Sequence, residues 1–166
     1  TSNLDSYLES NQDSLQAFGN GTTTAVGQSF ITPNSTLNQN NRGVFARAKF
    51  YLKKVGTPSG SIVAKLYACA SAYGGGDDVP TGAALATSDN VPTSAVTGTL
   101  ALVSFPFSTW YQFLANTAYV IVLEYSGGDG GNSIQAGYDG SSPAHTGNKC
   151  TFAGSWSAQS GEDCCF

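Results

Sequence analysis

The run Asn116-Thr117-Ala118-Tyr119-Val120-Ile121-Val122-Leu123-Glu124-Tyr125 leads directly into Ser126-Gly127-Gly128-Asp129-Gly130-Gly131-Asn132. No other stretch of the chain constrains its fold as strongly. β-Branched and aromatic residues fill the first part, and Gly, Asp and Asn fill the second. A β-strand ending in a turn is what such a sequence favours, and a run apolar on both faces predicts a central strand. The loop that follows is the kind of segment in which a rigid sheet scaffold carries ligand contacts.

The rest of the chain repeats this pattern. Val44, Ala46, Ala48, Phe50 and Leu52 alternate with Phe45, Arg47, Lys49, Tyr51 and Lys53, which predicts a strand with one face on the core and one in water. Ser61–Ala68 resumes the alternation after Gly56-Thr57-Pro58-Ser59-Gly60, a turn by composition. Further strands are expected at 22–32, 83–88, 99–107, 110–113, 134–138 and near 149–152 and 163–166. No long helical periodicity appears. The expected fold is all-β, a two-sheet antiparallel β-sandwich of the jelly-roll kind. Residues 1–20 are read as an extended N-terminal segment, either a first strand or a donor to another copy. Residues 21–166 form the sandwich domain.

Charge narrows the function. Only 11% of the residues are charged, against about 25% in an average soluble protein. Seven basic and eleven acidic residues leave a net charge of −4, so nucleic acid is not an expected partner. No apolar run approaches the roughly 18 residues of a membrane span. A neutral, hydroxyl-rich surface points to an extracellular location or a cell or virion surface. The absence of Met and of a leader suggests a processed product or an excised domain.

Four cysteines occur, Cys69, Cys150, Cys164 and Cys165. Neighbours in a strand face opposite ways, so Cys164 and Cys165 are not expected to bond each other. Cys150 with one of that pair is the expected disulfide, buried free thiols being the alternative. Zinc is disfavoured because no Cys-x-x-Cys pair exists. Asn20-Gly21-Thr22 and Asn34-Ser35-Thr36 are glycosylation sequons.

The segments Lys49–Gly60, Ala64–Ala68, Val79–Ser88 and Tyr125–Asp129, with Gly137-Tyr138-Asp139, resemble the choice-of-anchor or carbohydrate-binding-module-like jelly-roll domains of secreted, surface and phage proteins. The resemblance covers residues 22–166. It implies an extracellular accessory or structural domain and no established activity. Those domains continue a few strand residues past a terminus like this one, so the resemblance implies that the last strand is trimmed or completed by another chain.

Catalysis is not expected. The single histidine, His145, lies in a loop, and neither a Gly-x-Ser-x-Gly elbow nor a His-Glu-x-x-His motif is present. A structural calcium is a candidate cofactor. Its candidate ligands are Asp129, Asp139, Asp77 and Asp78, acids in tight loops that suit a hard cation. Sugar binding needs aromatic faces beside polar groups, and the candidates are Tyr138, Trp156, Trp110 and Tyr73. The expected role is a non-enzymatic structural or adhesion module, self-assembling through its N-terminal strand into a filament or surface layer. Carbohydrate binding through loop aromatics is the alternative. The expected partners are accordingly copies of the chain or surface glycans.

Overall fold

The computed structural model describes residues 4–33, 46–109, 111–141 and 143–166. Asn34, Trp110, Val44 and Phe45 therefore lie outside the described residues. Among those described, the strands are β1 (Ser14–Phe18), β2 (Ala25–Ile31), β3 (Arg47–Val55), β4 (Ser61–Cys69), β5 (Pro80–Thr87) and β6 (Val91–Pro92). They continue as β7 (Ala101–Pro106), β8 (Ala118–Glu124), β9 (Ser133–Asp139), β10 (Lys149–Phe152), β11 (Trp156–Gln159) and β12 (Asp163–Cys164). Two single turns of 3-10 helix occur, Glu9–Asn11 and Thr93–Ala95. No helix among the described residues is long and apolar enough to cross a membrane.

One sheet runs β1-β9-β3-β7, with β12 also on β9. The other runs β11-β10-β2-β8-β4-β5, with β6 on β4. Every pairing is antiparallel. Setting aside the short β6 and the C-terminal β10–β12, the order is 1-9-3-7 over 2-8-4-5, a jelly roll. The fold is thus the all-β, two-sheet antiparallel sandwich that the alternation predicts.

Period-two patterning builds the core. Ala48, Phe50 and Leu52 of β3 face Ile62, Ala64 and Leu66 of β4 across the sandwich. β8 lies between β2 and β4. Its Tyr119, Ile121 and Leu123 point inward, while Val120 and Val122 point outward and are nonetheless fully buried. A second cover over the outer face explains why this strand lacks polar alternation. β8 starts at Ala118, two residues later than the apolar run suggests, because Asn116 turns the chain at φ 49°, a conformation Asn tolerates better than most residues. The strand expected at 110–113 reduces, over Tyr111–Phe113, to a single bridged residue, Gln112. There the rings of Tyr111 and Phe113 pack edge-on against Tyr119, with centroids 5.9 and 4.9 Å away.

The N-terminal segment pairs within the chain. β1 pairs with β9 from Ser14↔Tyr138 to Phe18↔Ile134, and Phe18 is buried in the core. Upstream, Tyr7 and Phe166 exchange both backbone hydrogen bonds, at 3.2 and 3.1 Å. At the opposite edge β5 carries a large irregularity. Leu66 pairs with Ala86 and Ala68 with Thr81, so the residues from Gly82 to Leu85 bulge out beside Tyr67 alone.

The expected disulfide is absent: Cys69, Cys150, Cys164 and Cys165 are all free thiols. Topology accounts for this. Cys150 packs on the outer face of the larger sheet with Val120 and Val122, whereas Cys164 lies between the sheets. The sheet itself separates them, with Cys164 Sγ 3.8 Å from the Gly27 carbonyl oxygen on its inner side. Cys165 is buried beside β9, its backbone N–H donating to the Gly137 carbonyl oxygen at 3.0 Å. Burial pushes the Cys150 thiol up to about 12, so it resists ionisation at neutral pH.

Candidate functional site

The outer face of the larger sheet carries an open cleft of about 540 Å3. Strand register builds it. Trp156 pairs with Phe152, Phe152 with Ala25, Ala25 with Glu124, and Glu124 with Val63. One lateral row therefore crosses β11, β10, β2, β8 and β4 with its side chains on the same side. Ala25 is small and leaves a floor between the aromatic end and the acidic end. Tyr67, also outward on β4, closes one wall. Its ring centroid is 6.4 Å from that of Trp156, which in turn is 5.1 Å from Phe152, both edge-on.

Glu124 is the acidic group lining this cleft. Lys65 Nζ lies 2.6 Å from its Oε2, and Tyr67 Oη donates to its Oε1 at 2.9 Å. Burial, and then the bond to Glu124, push the Tyr67 hydroxyl up to about 12. The carboxylate is thus held in place by two donors while remaining partly exposed. Each carboxylate oxygen can accept more than one hydrogen bond, so acceptor capacity is left for a ligand. Ser61, Ser126 and Thr24 add hydroxyls around the rim. Half-buried rings beside a fixed acceptor and hydroxyl groups can take the C–H face of a sugar and its hydroxyls together.

A second polar cluster has the opposite character. His145 lies with Nε2 2.9 Å from Asp5 Oδ2 and Nδ1 3.2 Å from Asp163 Oδ1. The rings of Tyr7 and Phe166 pack edge-on against the imidazole. Asp163 is fully buried and accepts from Gln28 Nε2, while Gln28 Oε1 accepts from the Cys164 backbone N–H at 2.7 Å. Burial disfavours a charged imidazole, but Asp163 and Asp5 outweigh it and raise His145 to about 9. The cluster clasps the N-terminal segment, the 143–148 stretch around His145 and the C-terminal strand together. Asp163 Oδ2 is buried without a hydrogen-bond partner.

The candidate residues divide among these places. Trp156 stands in the cleft. Tyr138 lies elsewhere, beneath the Lys149 ammonium at 4.0 Å from the ring centroid. Burial and the charges of Asp5, Asp163 and Asp78 raise the Tyr73 hydroxyl, which places Tyr73 on the clasp side. Tyr67 and Phe152 are cleft residues that a search among loops and strand ends misses. Their signal is outward parity on β4 and β10.

The four candidate calcium ligands do not converge. Asp129 accepts from the Gly131 and Asn132 backbone N–H groups and from Asn132 Nδ2, and these bonds lower its pKa. Asp139 accepts from Tyr7 Oη at 2.6 Å and from the Ser141 N–H. Asp78 is buried and accepts from Ser29 Oγ, Ser71 Oγ and the Gly74 N–H, while Asp77 is exposed. Among the described residues no three His, Cys, Asp or Glu side chains gather to hold a metal ion. Asn20 of the first sequon sits in a turn, its Oδ1 accepting from the Thr22 and Thr23 N–H groups.

Compared with family models, curated proteins and solved structures, the chain matches none. The resemblance to choice-of-anchor domains therefore rests on the sequence segments alone, and function has to be argued from the site.

Proposed function

We propose that this chain is an exported, non-enzymatic β-sandwich module that binds carbohydrate through the outer face of its larger sheet. The observation that carries the reading is the register row Trp156–Phe152–Ala25–Glu124–Val63, with Tyr67 beside it. The row brings apolar rings and a fixed acceptor to one solvent-facing cleft of a size that suits a small saccharide. Attachment to surface glycans makes such a module an adhesion element. Self-assembly by strand donation takes second place, because β1 already pairs with β9 of its own molecule, and donation first requires that strand to leave.

The test is a glycan array followed by titration calorimetry on the best ligand. Binding that weakens about tenfold in Trp156→Ala supports the reading. An array blank for the wild type, or affinity unchanged in Trp156→Ala and Tyr67→Ala, overturns it.

A further inference from the structure

Lys149 is the most deeply buried base among the described residues, 1% exposed at the junction of the two sheets. Its Nζ donates to Gln16 Oε1 at 2.9 Å and lies 2.7 Å from Glu162 Oε2. The Tyr138 ring packs against it. Gln16 Nε2 donates to the Ala17 carbonyl oxygen at 2.9 Å, which orients the carboxamide with its oxygen toward the amine. An amine, a carboxamide carbon and a proton acceptor therefore meet where Tyr138 and the two sheets limit water. Attack needs the amine to leave the carboxamide oxygen for the adjoining carbon, at a near-attack separation of about 3–3.5 Å.

We propose that Lys149 and Gln16 form an intramolecular amide cross-link, with Glu162 moving the protons. The ammonium gives one proton to Glu162. The freed Nζ lone pair attacks Gln16 Cδ, and the carbonyl π pair moves to Oε1, which takes the proton back from Glu162. A second proton leaves Nζ for Glu162 and passes to Nε2. The carbonyl reforms as the Cδ–Nε2 bond breaks, and its pair departs with the nitrogen as ammonia. The ammonia takes up the last proton. One ammonium and one primary amide become one secondary amide and one ammonium ion, with no oxidant or activating reagent. Glu162 keeps 28% of its side chain open to solvent, while the Oε2 that faces Lys149 is buried.

The bond would join β1 of the smaller sheet to β10 of the larger. Cys150 and Cys69 share the outer face of the larger sheet while Cys164 lies between the sheets, and all four cysteines are free thiols, so a carbon–nitrogen link would be the covalent staple of this sandwich. It would also hold the N-terminal segment in its own molecule.

The experiment is intact-mass spectrometry of the purified native chain, fresh and after prolonged incubation at neutral pH, with peptide mapping. The wild type is expected to be lighter than its sequence by one ammonia and to release a branched peptide joining residues 16 and 149. Lys149→Arg and Gln16→Leu are expected at full sequence mass. Glu162→Gln, with an unchanged circular-dichroism spectrum, is expected to form the link many times more slowly. A wild type that stays at full mass overturns the proposal. So does an ammonia loss that maps to Asn20-Gly21, which is a succinimide instead. Cross-linking at the wild-type rate in Glu162→Gln removes Glu162 from the chemistry.

Discussion

The cleft and the clasp are built from the same kinds of residue and use them in opposite ways. In the cleft, Glu124 is pinned by Lys65 and Tyr67 yet stays partly open to solvent beside half-buried rings. In the clasp, Asp163 is sealed, and its acceptor oxygen is taken up by His145 and Gln28. One carboxylate is positioned for a partner from outside. The other is already occupied by its own chain. A polar group's surroundings, more than its identity, decide whether it recognises a ligand or holds the fold, because an unpaired buried charge is costly and an exposed one is cheap.

The largest expected effect breaks the clasp. Asp163→Ala takes this acceptor from Gln28 Nε2 and His145 Nδ1 and leaves His145 only Asp5, and the urea-derived unfolding free energy should fall by about 3 kcal/mol. A change like that seen at an exposed surface pair would put the clasp in the same category as the cleft. Next comes its pH dependence. His145 rises from its ordinary 6.5 to about 9 on folding, through Asp163 and Asp5 and against burial. Its stabilisation is therefore whole below about pH 6.5, declines as pH rises through the interval and is gone above about pH 9. After discounting the shift for solvent screening, the wild type should lose about 2 kcal/mol across that window. His145→Gln should show no such loss in parallel melts, and identical pH profiles for the two proteins would remove the charged clasp.

The cleft should answer in binding more than in stability. Tyr67→Phe frees one Glu124 oxygen and should weaken glycan binding by about threefold, with a modest change in melting temperature. A fall in stability with unchanged affinity would make Tyr67 a packing residue only. The smallest effect is expected from chelation. Asp129, Asp139 and Asp78 each accept hydrogen bonds from the protein around them, so excess chelator should leave the melting temperature where it was. A clear drop would mean that an ion stabilises the native state.

What could be read from the sequence follows the range of the interactions. Phe50, Leu52, Ile62 and Leu66 announce their faces within a few residues, because side-chain direction in a strand is local. The doubly buried β8 is legible for the same reason. The cleft is only half legible. Trp156 is conspicuous by type, but its alignment with Phe152, Ala25 and Glu124 depends on strand register, which no local pattern states. The clasp is hidden more completely, since Asp5 and His145 lie 140 residues apart. The cysteine expectation failed through the same gap. Local alternation separates Cys164 from Cys165, but only the topology puts a whole sheet between Cys150 and Cys164.

The bulge on β5 bears on how this sheet edge discourages pairing with other strands. Pro80–Thr87 is an edge strand without a single charged side chain, in a chain with few charges to spare. Edge strands commonly repel unwanted neighbours with lysines. Here the residues from Gly82 to Leu85, arched away from β4, interrupt the row of hydrogen-bonding groups that an incoming strand would need. Shape takes over the guarding that charge performs elsewhere. Shortening that arch to a straight strand would turn a quiet margin into a template for aggregation.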